Sequence, residues 1–131
     1  MIRIIHAERD SVCMGDDVKA PNEKDFLFKT HQPVSALMQA LSGYVPSMKN
    51  VVWVVSADQR TVGYLFSDET AKYQYELAGT VKSISDLPSR SVFCKYCYGT
   101  KYSEDRFPGC ATLLDRVKAS IGANPDKERK E

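Results

Sequence analysis

Two thiols three residues apart, in Cys94-Lys95-Tyr96-Cys97-Tyr98-Gly99, are the most chemically specific feature of the chain. A C-x-x-C followed by glycine is a shape used by zinc knuckles, where the glycine permits a tight turn and backbone N–H groups face the thiolates. It supplies half of a tetrahedral site. Cys110 lies 13 residues beyond Cys97 and Cys13 far before it, and the histidines, His6 and His31, sit in the first third of the sequence. Cys110 also falls on an apolar helical stripe, where a thiol behaves as a small hydrophobe. If a strand runs through the motif, Cys94 and Cys97 point to opposite faces. The same pair could act as a redox dithiol, but that chemistry places the first cysteine at a helix N-terminus, and no helix begins at Cys94. Cys94 and Cys97 are therefore the candidate zinc ligands, with reduced strand cysteines as the plainer reading.

A second cluster is acidic. Residues 10–25 hold Asp10, Asp16, Asp17, Glu23 and Asp25 against Lys19 and Lys24. The spacing does not match an EF-hand, which needs oxygen ligands at alternate positions, a sixth-position glycine and a twelfth-position glutamate. Asp16 and Asp17 fit Asx-turn chemistry in a solvated loop, and as a recognition edge such a loop would steer a basic partner. His6 is expected in or beside the core of a first strand and His31 just before a helix. No phosphate-binding glycine loop and no local nucleophile, base and orienting group are visible.

A third feature is aromatic. Six of the seven tyrosines, Tyr64, Tyr73, Tyr75, Tyr96, Tyr98 and Tyr102, fall between residues 64 and 102. A tyrosine offers a rigid apolar body with a hydrogen-bonding tip, which suits sheet cores, cross-strand pairs and interface hot spots alike. Tyr73, Tyr75, Tyr96 and Tyr98, with Asp16 and Asp17, are the candidate binding residues. Lysines interleave with the tyrosines as a single-strand nucleic-acid platform would need, but Glu76, Glu104 and Asp105 neutralise them.

The elements that must hold these residues follow from periodicity. Ile2 to Ile4 read as a short strand fading at Glu8-Arg9-Asp10, then a loop over residues 11–23, then a strand at Phe26-Leu27-Phe28. Val34, Leu37, Met38 and Leu41 fall on one helical face, with Pro33 at the first helical position and Gly43 as a stop, giving a helix over residues 33–42. Val51 to Val55 and Thr61 to Phe66 read as a hairpin with Ala57-Asp58-Gln59-Arg60 as its short polar loop. Lys72 to Leu77 alternates as a strand with one wet face, Val81 and Ile84 extend the meander, and Ser91 to Tyr98 is the last strand. Cys110, Leu113, Leu114, Val117 and Ile121 form the stripe of a closing helix over residues 108–121. The expectation is an α+β fold with a largely antiparallel sheet of five or six strands packed by two helices. Residues 1–122 make one domain and residues 123–131 a charged tail.

Length and charge bound the function. A chain of 131 residues, 43% hydrophobic and 27% charged, suits one core. A net charge of +1 argues against a polyanion binder. The start of the chain lacks the apolar run of a secretory signal, and no stretch approaches the roughly 20 apolar residues of a membrane span. The sequence thus points to a cytoplasmic, non-enzymatic protein-binding module of inhibitor, immunity-type or regulatory kind. The alternative is a small zinc- or thiol-dependent protein centred on Cys94 and Cys97.

Overall fold

A computed structural model describes residues 1–11, 23–98 and 101–123. The fold is α+β, built on one mixed six-stranded sheet with two helices. In chain order the elements are β1 (Ile2–Arg9), β2 (Glu23–Lys29), α1 (Val34–Tyr44), β3 (Val52–Ala57), β4 (Arg60–Ser67), β5 (Tyr73–Leu77), a 3-10 turn (Ile84–Asp86), β6 (Ser91–Cys97) and α2 (Leu113–Ala123). The strand order is β2-β1-β6-β3-β4-β5. Neighbours pair antiparallel except β1 and β6, which run parallel. The last strand thus slots between the first and the third, and α1 carries the chain from the β2 edge to β3 across both.

Strand alternation sorts side chains onto two faces. The inner face carries Ile5, Ala7, Phe28, Trp53, Val55, Leu65, Val92 and Cys94. Val34, Leu37, Met38, Leu41 and Tyr44 of α1 and Ile84 of the 3-10 turn close it into the main core. The outer face is covered over part of its width. Val52, Val54, Tyr64 and Cys97 pack there with Tyr102 and Val117, backed by Leu113, Leu114 and Ile121 of α2.

Several boundaries differ from the sequence reading. β1 continues through Glu8 and Arg9, because β2 and β6 both pair with it and outweigh the local charge. β2 begins at Glu23. Pro33 is the extended N-cap rather than the first helical residue, and α1 runs through Gly43 to Tyr44, whose ring is buried in the core. Val81 and Ile84 do not extend the meander; both are buried, and the chain turns in a 3-10 helix whose Ser83 N–H donates to Asp86. α2 starts five residues later than Pro108 suggests. Gly109 takes a φ of +88°, which breaks any helix there, and the Asp115 N–H donates to the Thr112 hydroxyl at 3.0 Å in the manner of an N-cap. Cys110 therefore precedes the helix. Arg116 ties the intervening turns down, donating to the Tyr102 and Cys110 carbonyls at 2.5 and 3.0 Å.

Candidate functional site

The open part of the outer face lies over β1 and β2. Even-numbered residues of β1 and odd-numbered residues of β2 share it, and the register sets Ile4 opposite Leu27, His6 opposite Asp25 and Glu8 opposite Glu23. Two surfaces result along one pair of strands. At one end Ile2, Ile4 and Leu27 stand 58, 52 and 69% exposed. At the other end three carboxylates surround an imidazole.

His6 is the centre of that group. Its Nδ1 lies 2.6 Å from Asp25 Oδ1 and its Nε2 3.1 Å from Glu23 Oε1, with Glu8 Oε1 at 3.4 Å from Nε2. The imidazole is held above its ordinary titration range, chiefly by the hydrogen bond to Asp25, with partial desolvation opposing and Glu8 and Glu23 adding to the rise. His6, Glu8 and Glu23 each offer a ligand atom, all within 4.8 Å of one another, so the group has the composition of a metal-ligand set. A cleft of about 190 Å3 lined by Glu8, Arg9, Glu23 and Phe93 borders it. Phe93 reaches the cleft because β6 places it beside Glu8.

Glu23 and Asp25, grouped with the acidic loop by sequence, belong to this strand-borne site. Asp10 does not: its carboxylate accepts the Tyr96 N–H at 2.8 Å and joins the end of β1 to β6. Asp16 and Asp17 lie outside the described residues. His6, expected near the core, faces outward, and His31 is exposed just before α1.

Cys94 and Cys97 fall on opposite faces, as their spacing on a strand requires. Cys94 is buried in the inner core and Cys97 in the outer one, so the two sulfurs do not converge on one ion. Burial pushes the Cys94 thiol up to about 12 and raises that of Cys97, whereas a metal ligand or attacking thiol needs the opposite shift. Cys97 Sγ instead lies 3.7 Å from the Tyr102 hydroxyl.

The tyrosines divide. Trp53, which the sequence reading did not single out, donates its indole N–H to the Tyr73 hydroxyl at 3.1 Å, and that hydroxyl donates to the Pro46 carbonyl. On its other side Trp53 meets Tyr96 at 5.2 Å between ring centroids, and Tyr96 stacks on Tyr98 at 5.6 Å. Tyr73 and Tyr96 are thus built into a row anchored by a buried indole, while Tyr98 at its end is 44% exposed. Tyr75 stands apart on the edge strand β5. No helix among the described residues is long and apolar enough to cross a membrane. No known protein family, curated protein or solved structure matches the chain.

Proposed function

We propose that the protein is a non-enzymatic protein-binding module of inhibitor, immunity-type or regulatory kind, and that the open half of its outer sheet face is the contact surface. The observation that carries this reading is the side-by-side exposure of Ile2, Ile4 and Leu27 on a face whose other half is covered by α2. Contiguous exposed apolar side chains on a sheet face are costly to solvate and mark contact sites. The adjoining Glu8, Glu23 and Asp25 support a partner with an apolar anchor rimmed by lysine or arginine, the charges setting specificity and encounter rate. Free thiols at Cys94, Cys97 and Cys110 support placing the protein in the reducing cytoplasm.

A second reading keeps the aromatic surface, on the strength of the exposed Tyr98 stacked on Tyr96. The test uses three baits on host extract, the native chain, Ile4→Asp/Leu27→Asp and Tyr98→Ala, followed by titration of any captured protein in purified form. One partner should be held by the native chain and by Tyr98→Ala. The double substitution should weaken its binding at least about tenfold, the equivalent of about 1.4 kcal/mol. Loss with Tyr98→Ala alone moves the surface to the aromatic row. Absence of any saturable partner, or equal binding by all three baits, overturns both readings.

A further inference from the structure

We propose that His6, Glu8 and Glu23 form a zinc site, with Asp25 positioning the histidine. The inference shares Glu8, Glu23 and Asp25 with the protein-binding reading but does not depend on it, and it rests on three features of the β1–β2 pair.

The first is ligand geometry. Atoms bound about 2.0–2.2 Å from a tetrahedral zinc lie roughly 3.3–3.6 Å from one another. His6 Nε2 stands 3.1 Å from Glu23 Oε1 and 3.4 Å from Glu8 Oε1, and all three ligand atoms lie within 4.8 Å of one another, so rotation of exposed side chains would bring them to one ion. One nitrogen and two carboxylate oxygens suit a borderline divalent cation better than a hard one such as calcium, which prefers six to eight oxygens. Three protein ligands leave a fourth position for water, and the neighbouring cleft lined by Glu8, Arg9, Glu23 and Phe93 has room for it.

The second is the orientation of the imidazole. Asp25 accepts from Nδ1–H, so in the neutral imidazole the lone pair is on Nε2, the nitrogen beside Glu8 and Glu23. A carboxylate behind a histidine in this way is the usual outer support of a metal-bound imidazole, and its loss typically weakens metal binding about 10–100-fold. The third is electrostatic. Glu8 and Glu23 are direct cross-strand partners of like charge, a placement that ordinarily destabilises a sheet, and Asp25 adds a third negative charge beside them. A protonated His6 offsets one of the three charges, whereas a divalent cation bound by neutral His6 offsets two.

A protonated imidazole donating to Glu23 would satisfy the same distances without metal, and direct binding separates the two cases. Reduced, chelator-treated protein is titrated with zinc alone by calorimetry and by competition with a chromophoric indicator. The native chain should take up one equivalent. His6→Ala and Glu23→Gln should each weaken binding at least tenfold, and Asp25→Asn about tenfold with stoichiometry unchanged. Cys97→Ser should bind like the native chain. Zinc should also raise the thermal midpoint of the native chain and not that of His6→Ala. Because the substituted residues of the cluster are surface groups, far-UV dichroism of each variant should match that of the native chain. Failure to bind one equivalent at micromolar concentration, retention of full affinity by His6→Ala, or loss confined to Cys97→Ser overturns the assignment.

Discussion

The two strand cysteines illustrate how far residue type and spacing carry at the smallest scale. Their three-residue separation, read as a strand, already sends the sulfurs to opposite faces, and the structure places them in separate cores. Burial then sets their chemistry. At pH 8 a thiol raised from about 9 to about 12 loses about a thousandfold in thiolate fraction, so Cys94 in the folded protein should react with iodoacetamide far more slowly than in the denatured chain. Peptide mapping after timed labelling checks this, and modification of Cys94 at the denatured rate while the protein stays folded refutes it. The same shift has a consequence for stability. Folded Cys94, Tyr44 and Tyr102 keep their protons to about 12, while the unfolded chain releases them from about pH 9 or 10. Between those limits the unfolded state binds fewer protons, so stability is complete below about pH 9 and declines as pH rises towards 12. The His6 group was the reverse case for legibility. Its partners lie 17 and 19 residues away, and only the β1–β2 register brings them together. The signal available was weak but present: His6 and Glu8, and Glu23 and Asp25, each have the i, i+2 spacing that puts both on one face of a strand.

At the scale of elements, existence and type were legible wherever the period was strong, and boundaries were lost where a residue's usual role was overridden. Gly43 does not stop α1, since Tyr44 beyond it still has core to bury into, and Pro108 does not start α2, since Thr112 caps it. The β3–β4 hairpin forms as its pattern predicts, but Ala57 and Arg60 join the strands, leaving a two-residue turn with Asp58 and Gln59 at φ of 50° and 66°, the sense that matches strand twist. Gly63 in β4 is where two elements press on a third. A Cβ there would sit 2.8 Å from the Glu76 carbonyl oxygen of β5 and 3.0 Å from the Met38 methyl of α1. The methyl can swing aside, but the carbonyl is fixed by strand pairing, in which Gly63 lies opposite Leu77. Gly63→Ala should therefore cost about 1–3 kcal/mol in denaturant unfolding, and adding Met38→Ala should not restore it. A cost below about 0.5 kcal/mol, or full rescue by the second substitution, would show that β5 gives way.

For the whole molecule the fold class follows from composition and periodicity, but strand order does not. Nothing local says that β6 pairs parallel with β1 and antiparallel with β3, because those pairings join segments far apart in sequence, His6 to Ser91 and Val52 to Cys97. The result is one sheet serving two cores, the inner closed by α1 and the outer by α2, with β3 contributing alternately to both: Trp53 and Val55 inward, Val52 and Val54 outward. A shared central strand should make the two cores unfold together, as single domains of this size commonly do. Trp53, the single tryptophan, reports on the inner core. Val117, fully buried in the outer core, can be weakened without touching it. Val117→Ala should lower stability by about 1–3 kcal/mol and shift the Trp53 fluorescence transition and the far-UV dichroism transition by the same amount. If the outer core instead melted as a separate layer, Val117→Ala would bring forward the loss of helical dichroism and leave the Trp53 midpoint where it was, and the view of β3 as the element joining both cores would fall.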